Sequence, residues 1–346
     1  MPPALQSTVR RSPIHPAWPV AQRAFLVGTA LFALAVAVAP ELSLRLFWGI
    51  VVPLLPLSFF ITPLAWRSVC PLATLNVYAQ HAGGPHQSST PTRWAGAPAM
   101  IALTLLVPAR HFAFNTSGVA LLLLVVGASA LAIAFGMRAE ARAGFCNAFC
   151  PVLPVELLYG MQPVVSVGNA RCSSCDVCTP RGCMDLAGNK ALAQLIGPRR
   201  RALGWLLTAY GIFAAAFPGF VIGYFTTSDI DILRVDVAYV AHIYAHILAY
   251  SAASYAMVTL LLLVTRVKSA VALPVLASVA GACYYWFAIP VMLRALSLAS
   301  PASEDIGRVI GAIALAWWLR RAVRLSARST PSGPVQSRAL PVLSGP

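Results

Sequence analysis

Long apolar segments recur along most of the chain, and they constrain its fold more than any other feature. Each is close to the roughly 20 residues that an α-helix needs to cross the hydrocarbon core of a bilayer. The candidate membrane spans are residues 22–39, 44–64, 96–112, 118–136, 202–223, 236–264, 270–292 and 306–320. Because a helix satisfies its own backbone hydrogen bonds in lipid, the pattern predicts an all-α fold, a polytopic α-helical membrane protein with about 8 transmembrane helices.

The composition agrees with a chain that is solvated by lipid. Hydrophobic residues make up 59% of the 346 residues and charged residues only 10%, whereas soluble domains carry about 25% charged residues. A net charge of +15 would by itself suit nucleic-acid binding. The Lys and Arg residues, however, flank the apolar segments on alternate sides, which is a membrane-topology signal. We therefore expect a lipid environment and no nucleic-acid partner.

The distribution of the basic residues predicts the orientation of the chain. If the N-terminus lies inside, all but five of the 25 Lys and Arg residues fall in inner segments. The exceptions are Arg45, Arg110, Arg234, Arg294 and Arg308. Because basic residues accumulate on the cytoplasmic side, we expect a multi-pass protein of the bacterial cytoplasmic membrane with both termini inside.

This topology divides the chain into five parts. A cytoplasmic N-terminal tail (1–21) precedes two transmembrane hairpins (22–136), and a cytoplasmic cysteine-rich segment (137–201) follows them. Four further transmembrane helices (202–320) lead to a C-terminal tail (321–346), whose Ser, Pro and Arg content predicts a disordered basic segment. All but one of the 8 cysteines lie in the cysteine-rich segment or before it, so any cysteine chemistry belongs to the cytoplasmic side.

The sharpest motif is Cys172-x2-Cys175-x2-Cys178-x4-Cys183. Thiolates three residues apart on a tight loop can wrap neighbouring iron corners of a [4Fe–4S] cluster, as in bacterial ferredoxins. We expect Cys172, Cys175 and Cys178 to be ligands, with Cys183 as the fourth. A structural zinc site, which favours pairs of cysteines separated by a longer loop, and a set of redox-active thiols remain alternatives.

A second motif, Cys146-x3-Cys150-Pro, has a partial copy at Cys70-Pro, and residues 66–78 resemble residues 146–159. A duplicated hairpin is the simplest explanation. A proline after cysteine suits the first turn of a helix, whose free N–H groups favour negative charge. We expect these three cysteines to converge at one cytoplasmic mouth, where they would ligate a second cluster or lend the fourth thiolate to the first. The alternative is that they are buried thiols at helix turns.

Together these motifs resemble the membrane polyferredoxins of the NapH and NosR type. The resemblance covers about residues 44–185 and rests on the Cys-x3-Cys-Pro hairpin followed by a ferredoxin-like segment. It implies electron transfer across or along the inner membrane, between the quinone pool and a reductase pathway. The chain differs from the family pattern of two complete motifs of each kind, because Trp66 stands where the other copy has Cys146 and only one ferredoxin-like run is present. The resemblance is therefore to a divergent member.

Histidines form the other candidate cofactor site. His242 and His246 are four residues apart on the sixth span, so they share a helix face. His111 lies near the outer end of the third span and is a candidate partner for one of them. Intramembrane ionisable groups are costly and often functional. Interhelical hydrogen bonds, contact with a quinone, and ligation of a b-type haem all remain open for these residues.

The leading expectation is an electron-transfer protein or a subunit of an oxidoreductase complex, with one [4Fe–4S] cluster and room for a second. Electrons would pass between a soluble ferredoxin-like donor or a membrane redox complex and the quinone pool. The alternative is a zinc-stabilised assembly factor or scaffold without a redox role. A transporter is disfavoured, because all 10 Asp and Glu residues fall outside the predicted spans or near their ends.

Overall fold

The computed structural model describes residues 17–82, 96–138, 145–146, 149–165 and 203–328. Within these ranges the chain is helical and contains no β-strand. The prediction of an all-α polytopic membrane protein is therefore confirmed.

Long helices follow one another through the described chain, and short ones separate some of them. In order they are α1 (Ala17–Val38), α2 (Pro40–Ile61), α3 (Pro63–Val69), α4 (Pro71–Ala82), α5 (Ala97–Phe114), α6 (Gly118–Arg138), α7 (Leu153–Tyr159), α8 (Ala209–Phe225), α9 (Val237–Thr265), α10 (Ser269–Ala295) and α11 (Pro301–Arg328). A 3-10 turn at Leu203–Leu207 precedes α8. One wide π-helical turn lies inside α2, at Phe47–Val51, and another ends α5, at Arg110–Phe114.

Six of the described helices are long and apolar enough to cross a membrane, namely α1, α2, α5, α6, α9 and α10. These six match six of the predicted spans. The fifth predicted span, 202–223, corresponds to the 3-10 turn and to α8, which is apolar but only 17 residues long. The eighth, 306–320, lies inside α11, whose charged residues near both ends keep it out of the six.

Helix α8 forms the centre of the bundle, and most of its side chains are buried against α9 and α10. The backbones of α8 and α9 approach closely at Gly219, where an added Cβ would lie 2.1 Å from the Tyr250 carbonyl oxygen. Across the same interface, Ser254 Oγ donates to the Ala215 carbonyl at 2.8 Å. Small residues let membrane helices pack closely where apolar burial gives little drive for association.

Successive long helices run in opposite directions, so the connections between them lie at the two ends of the bundle. Helices α3, α4 and α7, which flank the described Cys-Pro motifs, lie at one end. The turns after α1, α5, α8 and α10 lie at the other end. There the Ile230 N–H donates to the His111 carbonyl at 2.8 Å and ties the α8–α9 loop to the end of α5.

Candidate functional site

Cys70 sits at the break between α3 and α4. It closes α3 by donating its N–H to the Trp66 carbonyl at 2.8 Å, and Pro71 then starts α4. Proline cannot continue the preceding helix but fits the first turn of the next one. The Cys70 sulfur faces the N–H groups of Leu72 and Ala73, in the first turn of α4, and these amides favour its thiolate form. The Cys-Pro sequence thus turns a thiol toward free amide groups.

The second copy repeats this arrangement on a shorter helix. The Cys150 N–H donates to the Phe145 carbonyl at 3.1 Å, and Pro151 leads into α7. The Cys150 sulfur faces the Val152 N–H, which lies in the same place relative to the proline as the Leu72 N–H does near Cys70. Helix α7 ends at Gly160 after two turns, whereas α4 continues to Ala82. The likeness between the copies is therefore local to the cysteine, the proline and the first helical turns.

A buried ion pair joins the two copies. Arg67 on α3 donates from Nε to Oε1 of Glu156 on α7. Their side chains are only 7% and 8% exposed. Breaking a buried pair by removing one partner typically costs about 3–5 kcal/mol, because the other charge is left uncompensated. This pair holds the helix before Cys70 against the helix after Cys150.

Cys70, Cys146 and Cys150 converge around this ion pair. Both Cys146 and Cys150 interact electrostatically with Cys70 and with Arg67. Burial raises the pKa of Cys150 to about 12, and the nearby Cys70 adds to the effect. Burial likewise raises the pKa of Cys146 well above its ordinary value, with Cys150 as the next cause. Free thiols here are protonated at neutral pH, and a bound cation would be needed to hold them as thiolates.

The ferredoxin-like motif itself, Cys172, Cys175, Cys178 and Cys183, lies outside the described residues. In the part of the chain that is described, no three His, Cys, Asp or Glu side chains are close enough to share a single metal ion. The three thiols therefore share a neighbourhood and are not a complete single-ion site. A cluster of several irons spreads its ligands over separate corners, so further ligands would have to join these three to complete such a centre.

The histidines do not form one site with one another. His111 is buried between the Asp229 carboxylate, 2.5 Å from Nδ1, and the Tyr224 carbonyl, 3.0 Å from Nε2. Both ring nitrogens are thus engaged by protein groups, and the ring stacks near Tyr224 with centroids 4.3 Å apart. His111 lies at the end of the bundle opposite the cysteines.

His242 and His246 lie side by side on α9, with ring centroids 6.0 Å apart and ring planes 23° apart. His242 is exposed on the bundle surface and His246 is partly buried. His246 Nε2 lies 3.0 Å from Thr226 Oγ1. Among the described residues neither ring contacts His111. His111 and His246 hydrogen-bond to groups on or next to another helix. No two of the three histidines lie on opposite sides of a position where one haem iron could bind.

Sequence reasoning missed two features that the structure reveals. One is the Arg67–Glu156 pair, whose members are 89 residues apart. A signal existed, because each stands as a lone charge within an apolar Cys-Pro repeat. The other is a polar cavity around Arg110. The sequence indicates Arg110 only as a basic residue on the outer side. Cys283 lies in α10, partly buried against the core.

Comparisons with known proteins add no relative. No protein-family model, curated protein or solved structure matches the chain. The resemblance to membrane polyferredoxins therefore rests on the sequence motifs alone.

Proposed function

We propose that this chain is an iron–sulfur electron-transfer protein of the bacterial cytoplasmic membrane, a divergent relative of the NapH and NosR type of polyferredoxin. The observation that carries the proposal is the convergence of Cys70, Cys146 and Cys150 around the buried Arg67–Glu156 pair. Cys70 is far along the chain from Cys146 and Cys150, and the two Cys-Pro motifs have no structural need to meet. The predicted ferredoxin-like loop, Cys172 to Cys183, begins a short way along the chain after α7.

The residues at this end of the bundle suit an anionic metal–thiolate group. The sulfurs of Cys70 and Cys150 face backbone N–H groups at helix starts, and such hydrogen bonds stabilise negative charge on ligand sulfur. The Arg67 guanidinium adds a positive charge near Cys146 and Cys150. An iron–sulfur cluster would supply one-electron chemistry here. The protein's part is to ligate the cluster, hold it away from bulk water and set its potential through these amides and Arg67.

The proposed orientation puts the cysteine end in the cytoplasm, with both termini inside. It rests on the bias of Lys and Arg toward one set of loops. In this arrangement a soluble ferredoxin-like donor or a membrane redox complex docks at the cysteine end, and the quinone pool is the exchange partner within the membrane. The chain works either alone or as a subunit of an oxidoreductase complex.

Metal analysis of protein purified without oxygen tests the proposal. We expect about four irons with matching acid-labile sulfide per chain for one cluster, or about eight for two, and a broad visible absorption that dithionite bleaches. Cys175→Ala should lose the iron bound by the ferredoxin-like loop. Cys283→Ala is the matched control, since that thiol lies in α10 away from the motifs, and it should keep full iron content. Stoichiometric zinc without iron would contradict the proposal and favour the zinc-stabilised scaffold.

A further inference from the structure

A cavity of about 710 Å³ opens at the end of the bundle opposite the cysteines. It lies between α2, α5, α8 and α10 and is closed on one side by the α8–α9 loop. Its lining includes Trp48, Arg110, Tyr224, Asp229 and Tyr284. None of these residues takes part in the proposed iron–sulfur function, so the cavity needs an explanation of its own.

Arg110 is held in one orientation inside this cavity. Its guanidinium carbon lies 3.7 Å from the centroid of the Trp48 ring and 5.1 Å from that of Tyr224. Its Nε donates to Asn115 Oδ1 at 3.1 Å. Within the described ranges its two terminal nitrogens have no hydrogen-bond acceptor. A guanidinium fixed by stacking and by Nε offers its outer edge to an oxyanion, which it binds with two parallel hydrogen bonds.

The charges of the cavity favour a negatively charged ligand. Arg45 and Arg294 lie at its mouth with Arg110 further in, against the carboxylates of Glu41 and Asp229. Asp229 is already engaged, because it accepts hydrogen bonds from Asn115 and contacts His111. The charge that remains to be balanced is therefore positive.

The inner part of the cavity is lined mainly by carbon. Pro53, Phe225 and Ala288 line it together with the ring of Tyr284, whose hydroxyl is a polar group there. Along α10 the lining runs from Ala295 at the mouth to Tyr284, which corresponds to about 16 Å at the rise of an α-helix. The cavity therefore joins a cationic mouth to an apolar floor at membrane depth, and a small soluble anion would leave that floor uncovered.

We propose that this cavity binds an amphiphile whose head is an oxyanion, with the head on Arg110 and the hydrocarbon chain along the apolar floor. The phosphate of an anionic phospholipid and the carboxylate of a fatty acid both have this chemistry. The site is independent of the iron–sulfur function, because it lies at the other end of the bundle and shares no residue with the cysteine cluster.

Ligand binding to the detergent-purified full chain, followed by native mass spectrometry, tests the proposal. The probes are dioleoyl phosphatidylglycerol, oleate, uncharged monoolein and inorganic phosphate. We expect phosphatidylglycerol or oleate to bind more tightly than monoolein. Arg110→Gln should weaken that binding about tenfold or more, since it removes charge-assisted hydrogen bonds. Arg234→Gln, at an exposed arginine of the same end that does not line the cavity, should change it less than about twofold.

The separate probes distinguish a phospholipid from a fatty acid, and both from an uncharged lipid or a small anion. Tight binding of phosphatidylglycerol alone identifies a phospholipid site, and tight binding of oleate alone identifies a fatty-acid site. Arg294→Gln, at the exposed mouth, should also weaken binding and provides a second variant if Arg110→Gln does not fold. Equal affinity for monoolein, binding of inorganic phosphate without either amphiphile, or unchanged affinity in both arginine variants would overturn the proposal.

Discussion

Arg67 and Glu156 are buried with opposite charges in an otherwise apolar part of the chain, and each belongs to one copy of the Cys-Pro repeat. A buried charge destabilises the fold strongly unless an opposite charge stays paired with it. The pair therefore acts as a clamp between the copies, and the positions of the nearby cysteines depend on it. The sequence marks each residue as unusual, but nothing in it indicates that the two meet.

Removal of one partner should destabilise the fold strongly. Glu156→Ala removes the carboxylate that accepts from the buried Arg67 guanidinium, so we expect a loss of about 3–5 kcal/mol in the free energy of unfolding. The double variant Arg67→Met with Glu156→Leu should lose much less, because no buried charge remains. Unfolding of the detergent-solubilised protein, followed by circular dichroism, measures both.

The control for this prediction is a pair on α11. Glu304 and Arg308 are 3.8 Å apart and partly exposed, so Glu304→Ala should cost about 1 kcal/mol or less. If Glu156→Ala were as mild as Glu304→Ala, the clamp between the two Cys-Pro copies would be refuted.

The thiols should be unreactive in the metal-free protein near neutral pH. Burial, followed by the nearby Cys70, raises the pKa of Cys150 to about 12 from an ordinary 9.0. Only the thiolate is nucleophilic. At pH 7 the fraction of Cys150 in the thiolate form should be about a thousandfold lower than that of an ordinary thiol. The rate of alkylation of Cys150, measured by peptide mass spectrometry, should therefore keep rising with pH beyond 9.0, up to about 12.

An exposed cysteine introduced by Ser300→Cys gives the comparison. Its alkylation rate should level off near the ordinary pKa of a thiol, well below the pH at which the Cys150 rate does. A Cys150 rate that levels off at the same pH would mean that this thiol is not buried beside Cys70 and Cys146.

Among the helices, the Cys-Pro sequences were good predictors, and the apolar runs were weaker ones. Each Cys-Pro is expected to precede the start of a helix; α4 begins at Pro71, and α7 begins at Leu153, two residues after Pro151. The fifth span was expected at 202–223, but α8 starts only at Ala209, where Thr208 Oγ1 accepts the Gly211 N–H at 3.0 Å. Threonine is a residue type that caps helices, but apolar residues on both sides of Thr208 hide this start in the hydropathy pattern. For α11 the apolar run corresponds only to the middle of the helix, because the helix extends at both ends into segments that contain charged residues.

The contact between α8 and α9 leads to a prediction at this scale. Gly219→Leu should lower the free energy of unfolding by about 1–3 kcal/mol or more, because a side chain there collides with the Tyr250 backbone and overpacks the interface. Gly127→Leu in α6 is the control, since an added Cβ meets nothing within 4 Å. Thermal unfolding in detergent compares the two, and equal effects would contradict the close approach of α8 and α9.

At the scale of the whole molecule, the sequence was sufficient for the fold class. The apolar spans predicted the helical bundle, whereas a metal centre shared by Cys70, Cys146, Cys150 and the ferredoxin-like run stays a prediction. The cavity around Arg110 was out of reach, because it is assembled from α2, α5, α8, α10 and a loop that are far apart in the chain. Such a site depends on how the helices pack against one another, which a pattern of apolar residues does not determine.

The proposed orientation makes a direct prediction. A reporter fused after Asp236 should be active on the periplasmic side, and one fused within residues 164–198 on the cytoplasmic side, since basic residues concentrate in the inner segments. Paired alkaline phosphatase and fluorescent protein fusions measure this. A periplasmic result for 164–198 would reverse the scheme and put the cysteine motifs in an oxidising compartment.

Electron paramagnetic resonance of the anaerobically purified, dithionite-reduced full chain tests the central claim most directly. We expect the signal of a reduced [4Fe–4S] cluster in the wild-type protein and in the Cys283→Ala control. The signal should be lost in Cys175→Ala and altered or reduced in Cys150→Ala, because both belong to the proposed ligand set. A folded wild-type protein that contains zinc and has no such signal would contradict the account.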